Sequence, residues 1–168
     1  NVILGFGLTE GSAIASFLSQ KFAVSKMGSI GKAIAHVKIK VVNDEGKDVK
    51  PGEIGEILTQ CPSVSKGYWM RPDANEATFG DGWCHTGDLG RIDEDGFVYI
   101  AGRKKDMIIS GAENIYPAEI EDVLYTNPKI SEVAVIGMPD EKWGEAVLAI
   151  VVPKKGQSLT EEEVIAYC

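Results

Sequence analysis

Histidine and cysteine are scarce in this chain of 168 residues, which holds two histidines, His36 and His85, and three cysteines, Cys61, Cys84 and Cys168. The histidines lie far apart, which argues against a histidine-based metal site. The cysteines are odd in number and none is close to another, so they fit neither a zinc cluster nor a disulfide framework and read as free thiols of a reducing compartment. No apolar run approaches the roughly 20 residues that a membrane helix needs. No basic segment followed by an apolar core opens the chain, so no secretory signal is read and a cytoplasmic location is expected. Positive charge is also short: 17 Lys and Arg against 25 Asp and Glu leave a net charge of -8. A nucleic-acid partner would require a basic footprint and is excluded on that ground. Repeats, low-complexity segments and long linkers are lacking too. What is present, 44% hydrophobic and 25% charged residues, is the composition of a globular protein, long enough for one ordinary domain or two small ones.

The pattern divides the chain near residue 102. Residues 1–4 read as a buried strand feeding a glycine turn. Residues 37–43 and 54–60 alternate as strands do, with turns at Asn43-Asp44-Glu45-Gly46 and Pro51-Gly52. Residues 73–78 read as a short helix capped by Asp73. Residues 89–93 and 97–100 flank Asp93-Glu94-Asp95-Gly96, a hairpin with Asp-Gly at its tip. Beyond residue 102, residues 104–110 read as a strand. Pro117 opens a helix whose apolar face is Ile120, Val123 and Leu124, with Glu119 and Glu121 in its first turns. Residues 133–137 and 146–152 read as buried strands, and Thr160 caps a helix that begins with three glutamates. The expected fold is therefore α+β, with a β-rich part before residue 102 and a small α+β part after it.

Three segments could carry chemistry, each with a plainer alternative, and two more read plainly. In Gly5-Phe6-Gly7-Leu8-Thr9-Glu10 the glycines allow close approach of a ligand, the ring can stack on a base, the hydroxyl can donate to phosphate, and the carboxylate can hold Mg²⁺; the alternative is an ordinary strand-to-loop turn. Asp88, after His85-Thr86-Gly87, offers two acceptor oxygens that suit ribose hydroxyls, or simply caps a turn. Arg103 presents a fork of donors, while Arg103-Lys104-Lys105 reads equally as a solvated face. Asp93-Glu94-Asp95-Gly96 lacks the acidic twelfth residue of a calcium loop, since that position is Lys104. Lys142-Trp143-Gly144 reads as a loop closed by a packing aromatic.

The order and spacing of these segments resemble the adenylate-forming acyl-CoA synthetases. Phe6-Gly7-Leu8-Thr9-Glu10, Gly55-Glu56, Lys66-Gly67-Tyr68-Trp69, Gly82-Trp83, Thr86-Gly87-Asp88, Gly102-Arg103, Glu119-Ile120-Glu121 and the run from Val133 to Glu145 follow one another as they do in that family. Glu113-Asn114-Ile115-Tyr116-Pro117 is similar to fatty-acyl and aryl-acyl CoA ligases. The resemblance implies a two-step reaction: a small-molecule carboxylic acid attacks the α-phosphorus of ATP to give acyl-AMP and pyrophosphate, then the thiol of coenzyme A displaces AMP. It implies a β-barrel-like subdomain ending the large AMP-binding domain over residues 1–102, and a small mobile C-terminal domain over 103–168.

Carried over position by position, the resemblance implies that Phe6 stacks on adenine beside Gly7, Thr9 contacts the α-phosphate and Glu10 binds Mg²⁺. Asp88 accepts from both ribose hydroxyls, Arg103 holds the ribose region, and Lys105 occupies the hinge. Gly111 and Ala112 face the pantetheine of coenzyme A. Ala112 departs from the family, which commonly has a second glycine there, and Cys61 stands where a glycine is common. The family's phosphate loop would lie before Asn1 and its catalytic lysine after Cys168, so the 168 residues alone are expected to be inactive and to expose apolar surface that favours self-association. Two alternatives remain: a module that loads the thiol of a carrier protein, and a nucleotide-binding homologue without activity.

Overall fold

The computed structural model describes residues 3–168, with the side chain of Ala13 excepted. The expectation of a buried strand at Asn1 and Val2 therefore falls outside the described residues. Its continuation is corrected, because Ile3 and Leu4 are exposed, at 57% and 43%. The chain divides into two compact units, Asn1–Ala101 and Gly102–Cys168.

The first unit contains strands β1 (Leu4–Leu8), β2 (Ala13–Leu18), β3 (Ser29–Ala33), β4 (Lys38–Val42) and β5 (Gly55–Gln60), helix α1 (Pro72–Phe79), and strands β6 (Cys84–Ile92) and β7 (Val98–Arg103). The last two residues of β7 are counted with the second unit. The strands form one seven-stranded sheet in the order β1-β2-β3-β7-β6-β5-β4. The sheet is open: β1 pairs with β2 and β4 with β5, and these two strands are its edges. The expected barrel-like subdomain is thus an open sheet and not a closed barrel, because closure would require the edges to pair.

Ile30, Val41, Ile57 and Val98 form the core of this unit, with Phe6, Ile39, Val49 and Ile92 packed on it. The alternation of residues 54–60 predicted a strand with one wet face. Instead β5 is buried at five successive positions, its polar members included, with Glu56 and Thr59 only 9% and 1% exposed. The tip predicted at Asp93–Gly96 forms as expected: the carboxylate of Asp93 accepts the N–H groups of Asp95 and Phe97 at 3.0 and 2.8 Å. α1 begins with Pro72 at its first position, and Arg71 is the capping residue. Asp73 does not cap it; the preceding proline supplies the preset φ, and Asp73 lies one residue inside, paired with Arg71 at 3.2 Å.

The second unit contains β8 (Ile108–Ser110), β9 (Glu113–Ile115), α2 (Pro117–Tyr125), β10 (Ile130–Asp140), β11 (Gly144–Pro153) and α3 (Glu161–Ile165). Its sheet runs β10-β11-β8-β9. The strand expected over 104–110 is shorter, since Lys104–Asp106 forms a 3-10 turn. Pro117 is at the start of α2 as predicted. Of the predicted apolar face, Leu124 is fully buried and Ile120 packs on the core of Ile108, Leu124, Ile130, Val133 and Val135. Val123 is 43% exposed, because residues one position apart on a helix turn roughly 100° away from each other. β10 and β11 outrun the predicted lengths and are not buried throughout. Ile136 pairs with Leu148, and Ala134 with Ile150, and Ile136, Met138, Leu148 and Ile150 stay 41–51% exposed. Thr160 and Glu163 form the predicted cap reciprocally: each side chain bonds the other's backbone N–H.

Candidate functional site

The Gly5–Glu10 segment is a strand followed by a turn, and the break comes later than the glycines suggest. Gly5, Phe6 and Gly7 belong to β1, and the register of β1 on β2 shifts between Phe6 and Gly7. Glycine in a strand marks such a bulge, so these glycines bend the strand and do not end it. Phe6 is half-buried against the core of the first unit. The chain then makes a 3-10 turn over Thr9–Gly11, closed at Ser12 in the left-handed region at φ 56. Thr9 is exposed and Glu10 half-buried.

Four hydrogen bonds tie this turn to residues 63–68. The Ser65 N–H donates to the Glu10 carbonyl at 2.7 Å. The Ser12 hydroxyl donates to the Ser63 carbonyl at 2.7 Å, and the Ser63 hydroxyl to the Gly11 carbonyl at 2.8 Å. The Tyr68 hydroxyl donates to Oε1 of Glu10 at 2.5 Å. That bond to a carboxylate, joined by burial, holds the Tyr68 phenol above its ordinary pKa. The Cys84 thiol at the start of β6 is pushed up to about 11, first by burial and then by the charge of Glu10. Glu10 thus lies close to the strand that carries Asp88.

Asp88 sits four residues further along β6, half-buried. The turn before it is held from β5. The Thr86 hydroxyl donates to the Ile57 carbonyl at 2.7 Å and accepts the Asp88 N–H at 3.0 Å. The Gly87 N–H donates to Oε1 of Glu56 at 3.3 Å, and Gly87 itself adopts φ 69. His85 lies between two carboxylates, 3.4 Å from Glu56 and 3.4 Å from Asp81. Burial raises the Asp81 carboxyl, but the Trp83 amide and His85 outweigh it and hold it below its usual value. Thr86 and Glu56 thus accept two amides of the turn before Asp88.

The remaining expected residues belong to the second unit. Arg103 ends β7 and Lys105 is exposed in the 3-10 turn after it. Gly111 and Ala112 are the two-residue loop of the β8–β9 hairpin, since Ser110 pairs with Glu113. Both have positive φ, 58 and 70, the requirement of a type I′ turn. Ala112 thus occupies a conformation that an L side chain rarely adopts. The Gly111 N–H donates to the Trp143 carbonyl at 2.9 Å, and a Cβ on Gly111 would lie 2.7 Å from the indole. Trp143 has the packing role that the sequence predicted.

Tyr68 and Glu56 were visible in the sequence only as markers of order, without a role. The signal was their spacing from Trp69 and Gly55; what each touches depends on which strands pair. Among the described residues no group of three or more His, Cys, Asp and Glu side chains could hold a metal ion. A single carboxylate such as that of Glu10 is still compatible with Mg²⁺, which commonly takes one or two protein carboxylates with the rest of its shell from water and substrate phosphates.

Comparison with known proteins follows the same two units. Residues 1–69 match the family of AMP-binding enzymes, and residues 119–168 match the AMP-binding enzyme C-terminal domain. The chain is 49% identical over 160 residues to an indoleacetate–CoA ligase of Aromatoleum aromaticum, covering 95% of this chain and 31% of that protein. It is 46% identical over 167 residues to a long-chain-fatty-acid–CoA ligase of Mycobacterium tuberculosis, covering 99% of this chain and 33% of that protein. The solved o-succinylbenzoate CoA synthetase of Bacillus subtilis, in complex with its acyl-adenylate intermediate, superposes with a TM-score of 0.89 at 42% identity, over 99% of this chain and 34% of that one. The same enzyme has been solved with ATP and a magnesium ion. The chain spans about a third of the length of the curated relatives it matches. No helix among the described residues is long and apolar enough to cross a membrane.

Proposed function

The chain belongs to the AMP-binding enzyme family, and on that premise we propose that it is part of an ATP-dependent carboxylic acid–CoA ligase. In that reading residues 1–102 end the large nucleotide-binding domain and residues 103–168 belong to the small C-terminal domain. The complete protein joins a small-molecule carboxylic acid to AMP, releases pyrophosphate, and passes the acyl group to coenzyme A.

Within the first unit, Thr9 donates to the α-phosphate and Glu10 holds Mg²⁺, which when bound supplies positive charge to the ATP phosphates. Phe6, partly buried against the core, stacks on the adenine, and Gly7 leaves the backbone open to the nucleotide. Asp88 accepts from the ribose hydroxyls, its backbone set by Thr86 and by Glu56 through Gly87. Within the second unit, Arg103 binds the ribose region, Lys105 stands at the hinge, and the Gly111-Ala112 turn lines the path of the pantetheine thiol. The methyl of Ala112 narrows that path relative to glycine. A cytoplasmic setting suits the three free thiols.

The observation that carries this reading is the match along almost the whole chain to a synthetase holding an acyl-adenylate. The hydrogen-bonded carboxylate of Glu10 and the braced turn before Asp88 are the parts of this chain suited to such a ligand. The test is pyrophosphate release by the complete protein with ATP, Mg²⁺ and a panel of carboxylic acids, followed by thioester formation on adding coenzyme A. The 168 residues alone are expected to release none. Absence of turnover with every acid, or robust turnover by the 168 residues alone, would overturn it.

A further inference from the structure

We infer that Tyr68, gripped by Asn75 of α1, is a positioning residue for the Glu10 carboxylate. The inference rests on the proposed role of Glu10 as the Mg²⁺ ligand. Oε1 of Glu10 accepts the Tyr68 hydroxyl, which leaves Oε2 for a cation. Carboxylates that ligate metals are themselves hydrogen-bonded, and the partner orients the ligand. Tyr68 can do this because its own backbone is held. Its N–H donates to Oδ1 of Asn75 at 2.5 Å, and Nδ2 of Asn75 donates back to its carbonyl at 3.1 Å. Its ring leans on Phe79, with centroids 5.7 Å apart.

Asn75 and Phe79 are one helical turn apart on α1 (Pro72–Phe79), so they reach Tyr68 from one face. Gly67, at φ 134, leaves the space into which the Asn75 amide fits; a Cβ there would lie 2.8 Å from it. Asn75, Tyr68 and Glu10 are thus joined by hydrogen bonds in series. α1 has no buried residue and contributes little to the core. Its structural work is to present Asn75 and Phe79 to Tyr68.

The experiment has two arms. In the complete ligase, Tyr68→Phe and Asn75→Ala are expected to speed amide exchange of Ser12 and Ser65, the amides that close the Glu10 turn, by about fivefold, the effect of losing one hydrogen bond. Unchanged exchange in both variants overturns the inference. In the complete ligase, both variants are expected to raise the Mg²⁺ concentration that half-saturates pyrophosphate release by about tenfold, with KM for the carboxylic acid unchanged. A general loss of structure would instead raise both constants or lower kcat alone, and that outcome also overturns it. Glu10→Gln, measured in parallel, separates the two ideas. If Glu10→Gln raises the Mg²⁺ requirement and Tyr68→Phe does not, positioning by Tyr68 is wrong. If Glu10→Gln leaves the requirement unchanged, the metal-ligand reading of Glu10 falls, and the inference with it.

Discussion

The Oε1 atom of Glu121, on α2, accepts the backbone N–H of Val135, on β10, at 2.8 Å. β10 is an edge of its sheet, and an edge strand carries amides with no strand partner. The helix therefore satisfies one of them and fixes its own height along the strand. The sequence reading gave Glu121 only a favourable place in the helix dipole.

Glu121→Ala is expected to destabilise the chain by about 1–3 kcal/mol, since it leaves a partly covered amide without its acceptor. The exposed neighbour Asp122→Ala should change stability by less than about 0.5 kcal/mol. Urea unfolding of the two variants checks this, and equal midpoints would contradict it.

Ala112→Gly is expected to stabilise the chain by about 0.5–1 kcal/mol. Relief of the left-handed backbone at φ 70 outweighs the greater freedom of glycine when unfolded. Gly111→Ala, one residue earlier, should do the opposite, because its new Cβ meets the Trp143 ring at 2.7 Å. The sign difference between adjacent positions is read from thermal unfolding midpoints. In the complete ligase Ala112→Gly should raise the coenzyme A step or leave it unchanged; a clear loss would contradict the placement of Ala112.

The Asp93 carboxyl is held below its usual range. Burial raises it, but the Lys26 ammonium at 2.7 Å and the Phe97 amide outweigh that. A carboxylate whose pKa is depressed by folding contributes stability that is complete above its unfolded value, about 4. That contribution is lost as pH falls through the folded value. Stability should therefore fall more steeply between about pH 5 and pH 2 in the wild type than in Asp93→Asn. The two stability curves should approach each other on acidification, and parallel curves would refute the assignment.

The three thiols should differ in reactivity. Cys168 is exposed, Cys61 intermediate and Cys84 buried, with the Cys84 thiol raised to about 11 by burial and by Glu10. The thiolate is the reacting form, so alkylation at neutral pH should proceed at Cys168, then Cys61, and at Cys84 only on unfolding. Mass spectrometry of the labelled chain checks the order. Labelling of Cys84 as fast as Cys168 would show that β6 opens from β5 at Cys84, where Cys84 lies opposite Thr59.

Local signals were legible where one residue type enforces one conformation. Pro117 opened α2, Thr160 capped α3, and Asp93 with Gly96 turned a hairpin. They failed where another residue, adjacent or distant in sequence, decided. Asp73 was displaced from its cap by Pro72. β5 was buried on both faces although it alternates. The glycines of β1 bent a strand they had been expected to end. Val123 turned to solvent because the core lay under Leu124.

Motif order and residue spacing determined the α+β class, the break near residue 102 and the family, because these follow from short-range chemistry and from the linear order of segments. Only the tertiary structure decided that the first sheet is open, that Glu56 braces the turn before Asp88, and that Tyr68 reaches Glu10 across 58 residues. Those facts depend on which strands and loops come together. That choice is made by burial and hydrogen bonding summed over the whole unit, and no local segment encodes it.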